Sequence, residues 1–100
     1  MNNWNIPKQM EHTIRTRDKH CAYCGVQFTE NTKPTWEHII NDENIITYEN
    51  IVLCCRSCNS SKGAKELSTW LKSRYCNEHK ITRDTVSDIV KRALLEEQKT

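Results

Sequence analysis

The sequence predicts a small α+β fold stapled by a bound metal. Three observations lead there: two Cys-x-x-Cys pairs (Cys21/Cys24 and Cys55/Cys58), two short runs of β-branched and aromatic residues between them, and apolar residues at helical spacing on either side. The chain has 100 residues, the length of one domain, and its 36% apolar and 28% charged content suits a soluble globular domain with a modest core. Domains of this size often supplement the core with disulfides or a metal.

The elements follow in order. Pro7 sits where a helix can begin, and Met10 and Ile14, spaced i, i+4, predict a helix over 8–18. His20 to Gly25 makes a tight turn in which glycine supplies a permissive backbone. Residues 35–40 (Thr35-Trp36-Glu37-His38-Ile39-Ile40) have the composition of a strand, 41–44 read as a polar loop, and Ile51-Val52-Leu53-Cys54 read as a second strand. The second cysteine pair opens into a short helix that Gly63 can terminate. Leu67, Trp70, Leu71 and Tyr75, then Val86, Ile89, Val90, Ala93 and Leu94, predict two further amphipathic helices. Their apolar stripes pack on the core or, alternatively, face a partner or a second copy. Thr82 followed by Thr85 is a partial capping signal, since Glu or Gln is the usual residue three positions on. No repeat or linker divides the chain, so a single domain over 1–100 is expected, with its core at 20–63 and C-terminal helices over 65–98.

The start of the sequence lacks a basic region followed by an apolar one, and no apolar run approaches the ~18 residues that span a membrane. A cytoplasmic, membrane-free setting is the expectation; it keeps thiols reduced and turns six cysteines toward metal rather than disulfides. The net charge of +2 does not announce a nucleic-acid binder, but its distribution is polarised. Residues 56–74 hold Arg56, Lys62, Lys65, Lys72 and Arg74 against Glu66, whereas 30–50 hold Glu30, Glu37, Asp42, Glu43 and Glu49 against Lys33. That pattern fits a phosphate-facing side beside a metal-gathering loop, or ordinary solvated faces.

Zinc prefers four tetrahedral ligands, and thiolates two residues apart supply two from one turn, so Cys21, Cys24, Cys55 and Cys58 are the expected ligands of a structural Zn²⁺. Cys54 lacks the two-residue spacing and reads, with Cys76, as a small buried hydrophobe. His20 adjoins Cys21, but four cysteines leave it no vacancy; His12 and His79 read as surface residues. A second group of residues is not needed by zinc: Glu37 and His38 on the first strand, Asn50 before the second, and Asn59 after Cys58. A hard cation such as Mg²⁺ takes oxygen donors and keeps several waters, so one carboxylate and one amide oxygen suffice. Neighbouring strand side chains point to opposite faces, so Glu37 and His38 share a site only near a strand end or edge.

Through Cys21-Ala22-Tyr23-Cys24-Gly25, Trp36-Glu37-His38-Ile39-Ile40 and Asn50-Ile51-Val52-Leu53-Cys54-Cys55-Arg56-Ser57-Cys58-Asn59-Ser60-Ser61-Lys62-Gly63, the sequence resembles the HNH endonuclease family. The resemblance covers residues 20–63 and implies a ββα-metal core in which two strands and a helix grip one divalent ion, Mg²⁺ or Mn²⁺. It implies hydrolysis of DNA phosphodiester bonds, by nicking or cutting duplex. His38 would be the general base, Glu37 and Asn59 the ligands of the catalytic metal, and Asn50 the residue that holds the loop so that His38 keeps its orientation. Lys62, Arg56 and Lys65 would contact DNA. Two features depart from the family: the acidic position is usually Asp, and the usual Pro and Gly-Gly are missing from the loop after His38, where Asp42 or Glu43 becomes an additional metal donor to consider. With no separate reading module, weak specificity or a homodimer is expected. The competing expectation is a non-catalytic zinc ribbon that binds nucleic acid, which needs neither Glu37 nor His38.

Overall fold

The computed structural model describes residues 6–42 and 44–98. The order is α1 (Lys8–Arg17), β1 (Pro34–His38), β2 (Ile51–Cys55), α2 (Arg56–Lys62), α3 (Leu67–Leu71), α4 (Arg74–Glu78) and α5 (Asp88–Gln98), an α+β arrangement as the sequence predicts. The possible metal role of Glu43 lies outside the described residues.

β1 and β2 pair antiparallel, with Trp36 opposite Leu53, Glu37 opposite Val52 and His38 opposite Ile51. Strand side chains alternate between faces, and the ribbon divides the apolar residues into two clusters accordingly. Leu53 and Ile51 pack with Ile14 of α1 and with Trp36, whereas Val52 and Cys54 join Tyr23, Trp70, Val90 and Leu94 in the larger core. The apolar stripes after residue 65 therefore face this core: Leu67, Trp70, Val86, Val90 and Leu94 are buried.

A two-stranded ribbon has two open edges, and here side chains close both. On β1, the carbonyl of Trp36 accepts from Asn59 Nδ2 (3.1 Å) and that of His38 from Lys62 Nζ (3.4 Å), so α2 lies along this edge. On β2, the end of α1 does the same work. Asp18 Oδ2 accepts from Leu53 N (3.0 Å), and Arg17 donates to Ile51 O (2.8 Å).

β1 is shorter than the sequence predicts because Asn50 takes over where the ladder stops. Its backbone carbonyl accepts from Ile39 N (2.9 Å), but its side-chain oxygen accepts from Ile40 N (2.8 Å). Gly63 ends α2 as expected, at φ +51 with its N–H on Asn59 O. The first predicted C-terminal helix divides into α3 and α4, because the Ser73 hydroxyl accepts from Cys76 N and starts a new turn. The Thr82/Thr85 signal marks a turn rather than a helix start: Thr82 N donates to Thr85 Oγ1 (2.8 Å), and α5 begins only after Ser87, whose hydroxyl accepts from Val90 N (3.4 Å). Among the described residues, no helix is long and apolar enough to cross a membrane.

Candidate functional site

The ligand sulfurs of Cys21, Cys24, Cys55 and Cys58 all lie within 4.8 Å of one another, a set able to hold a structural metal such as zinc. Zn–S bonds of about 2.3 Å in a tetrahedron put sulfurs ~3.8 Å apart; Cys24 Sγ and Cys55 Sγ are 3.8 Å apart. The first cysteine of each pair accepts from amides of its own turn: Tyr23 N and Cys24 N reach Cys21 Sγ, and Cys58 N reaches Cys55 Sγ, each at 3.4 Å. Such donors offset the negative charge that thiolates concentrate around a metal. A hydrogen bond from Cys58 holds the Cys21 thiol down at about 5, while burial pushes Cys24 up to about 11. Cys54 and Cys76 are fully buried outside this cluster, as small core residues.

The second set of residues gathers in two places rather than one. Glu37 faces the larger core, where its Oε2 accepts from Tyr23 Oη (2.9 Å) and pairs with Lys62 Nζ (3.0 Å). Glu37 is 5% exposed and Lys62 0%. Burial pushes the Glu37 carboxyl up, opposed by the Lys62 charge and by hydrogen bonds from Lys62 and Tyr23. Burial, with the Glu37 charge beside it, also pushes the Tyr23 phenol well above its ordinary value.

His38 lies one residue on, opposite Ile51 in the register, where strand alternation directs it to the face opposite Glu37. It is buried, and the chain after it is held by Asn50. Besides accepting from Ile40 N, Asn50 donates through Nδ2 to Ile40 O (3.2 Å) and Ile45 O (3.0 Å). Four contacts of one residue thus close the loop that leaves His38. Asn59 is half-buried and turned to β1, its Nδ2 donating to Thr35 Oγ1 (2.9 Å) as well as to Trp36 O.

The structure brings together two cysteine pairs flanking an antiparallel ribbon, His38 at the end of its first strand and Asn50 hooked behind it. Residues 21–65 match the HNH endonuclease family. The chain is also similar to the CRISPR-associated endonuclease Cas9 of Corynebacterium diphtheriae, strain ATCC 700971 / NCTC 13129, with 31% identity over 64 residues. That alignment covers 61% of this chain and 6% of Cas9, so the chain spans a small fraction of this relative's length. No solved structure matches.

Within the matched segment, two expected roles meet different geometry. The Lys62 ammonium, expected to contact DNA, is buried in the core against Glu37 and the His38 carbonyl, while Arg56 and Lys65 are exposed. Glu37 does not share a face with His38. Glu37, as arranged, does not fit a hard cation, because a buried ammonium already sits 3.0 Å from its carboxylate; Asn59 is oriented by its Nδ2, which is turned onto β1. Asp42 Oδ1 accepts from Asn44 N (3.0 Å) in an exposed turn. Two residues escape sequence reasoning altogether. Tyr23 and Tyr75 look like ordinary core aromatics, yet the first caps Glu37 and the second donates to Cys58 Sγ.

Proposed function

We propose that this chain is a metal-stapled nuclease domain that hydrolyses phosphodiester bonds of double-stranded DNA, with Zn²⁺ on the four cysteines and His38 as general base. The Asn50 clasp carries this reading. Asn50 is the middle residue of the motif, and it fixes the segment directly after His38 by both backbone and side chain. A histidine whose backbone is held in place loses little freedom when it meets a phosphate, and imidazole is the side-chain type suited to taking a proton from water near neutral pH. Exposed Arg56 and Lys65, on and beside α2, are the proposed phosphate contacts.

The reaction class calls for a hard divalent ion, Mg²⁺ or Mn²⁺, that stabilises charge on the phosphate. Glu37 does not fit as its holder, so His38, Asn50 and the basic side chains carry the reading.

One observation favours a second reading, a non-catalytic zinc ribbon that binds nucleic acid: the acidic residue of the motif is engaged inside the core. Conversion of supercoiled plasmid to nicked circle separates the two. Wild type in Mg²⁺ or Mn²⁺ nicks and His38→Ala does not under the nuclease reading; both remain inert while shifting DNA in a gel under the ribbon reading.

A further inference from the structure

We propose that Glu37 is a positioning residue rather than a metal ligand: with Tyr23 and Lys62 it forms a buried brace that holds β1 by the backbone carbonyl of His38. What the brace is for rests on the nuclease reading; that it exists rests on contacts alone.

Three features carry the proposal. First, the carboxylate is satisfied from inside the protein, Oε2 taking a phenol at 2.9 Å and an ammonium at 3.0 Å. A divalent ion on the same carboxylate would bind at about 2.1 Å and sit beside a like charge that has no route to water. Second, Lys62 is fully buried and also reaches the His38 carbonyl at 3.4 Å. A buried lysine is expensive unless paired, and Glu37 is the carboxylate that pairs it. Third, Glu37 and His38 are neighbours on one strand with opposite faces, so Lys62 links them through the backbone: it holds Glu37 by its side chain and His38 by its carbonyl. Glutamate suits this task, since its extra methylene over aspartate extends the carboxylate toward Tyr23, which projects from the first cysteine turn. The brace therefore joins β1, α2 and that turn across the core face of the ribbon.

The test uses the full, zinc-loaded chain, Mn²⁺ as a paramagnetic probe and NMR as readout, with Glu37→Gln, Lys62→Met and the double variant. Glutamine keeps the length and an oxygen that accepts from Tyr23 and Lys62, but not the charge. We expect Mn²⁺ to broaden the same amides to the same extent in wild type and Glu37→Gln. We expect the His38 ring resonances and their pH midpoint to be displaced in the double variant, which has lost the tether but carries no unpaired buried charge. Selective broadening of the Tyr23 and Glu37 amides in wild type, with half-saturation raised about tenfold or more by Glu37→Gln, would overturn the proposal. So would a double variant whose His38 signals coincide with those of wild type. Neither outcome depends on nuclease activity, so failure of the His38 reading is scored separately.

Discussion

The hydroxyl of Tyr75 donates to the sulfur of Cys58 across 3.3 Å, and Ser57 Oγ lies 2.9 Å from the same hydroxyl. Tyr75 belongs to α4, beyond the segment that matches the family, so the C-terminal helices reach back to the cysteine cluster. Donors to a ligand sulfur disperse its charge, and their removal typically weakens metal binding by about 10–100-fold. Tyr75→Phe is expected to keep the fold and lower zinc affinity about tenfold, measured by competition with a chromophoric chelator. Unchanged affinity would remove Tyr75 from the metal's surroundings.

Loss of a cysteine acts on folding itself. A structural zinc site forms with the fold, so Cys24→Ser or Cys58→Ser is expected to abolish the cooperative thermal transition rather than slow a reaction. Circular dichroism melts and zinc per chain check this; a wild-type melt with full zinc content would contradict it. Zinc binding displaces thiol protons, and with burial pushing Cys24 up to about 11, affinity should rise with pH across the neutral range and fall toward acid. The pH at which half the zinc is released measures this.

The Glu37–Lys62 pair gives a pH dependence of definite sign. Lys62→Met leaves a buried carboxylate without its cation, a change that typically costs about 3–5 kcal/mol. The Glu37 carboxyl is already raised in the fold by burial, and it rises further without Lys62. The folded variant then holds a proton that the unfolded chain releases. Its deficit should therefore shrink as pH falls from the raised folded value toward the ordinary carboxyl range, and Glu37→Gln should restore much of it at neutral pH. Urea denaturation of zinc-loaded wild type, single and double variants at several pH values checks this, with wild type controlling for zinc loss. A pH-independent deficit would show that Lys62 contributes by packing alone.

Asn50 is the residue whose loss should separate stability from activity. Asn50→Ala removes the side-chain bonds to Ile40 and Ile45 but leaves the backbone bond to Ile39. A stability loss of about 1–3 kcal/mol is expected from amide and carbonyl groups left unpaired. A larger proportional loss of DNA cleavage is expected, because the segment after His38 is released. Equal melts and equal rates in the variant would end its assigned role.

Much of this arrangement is legible in the residue order. The cysteine spacing identifies the sulfur cluster, β-branched residues mark both strands, and Gly63 ends α2, because each rests on local backbone chemistry. Asn50 behind His38 is legible through the motif. Lys62 is not: a lysine beside exposed basic residues reads as solvated, and only the packing of α2 along β1 reveals that it faces Glu37. Tyr23 and Tyr75 are invisible for a similar reason, since a phenol's partner is set by tertiary contacts rather than by neighbours in sequence. The split between α3 and α4 was hidden because a continuous apolar period runs through Ser73, whose hydroxyl cap starts the new turn.

The most direct test of His38 as base is chemical rescue. General-base help is typically worth about 10²–10⁴-fold, so zinc-loaded His38→Gly should lose plasmid nicking by that order while keeping its melt and its zinc. Added free imidazole should restore part of the rate, in proportion to its neutral form. Nicking by His38→Gly at the wild-type rate, or a wild type inert in every divalent metal, would contradict the account.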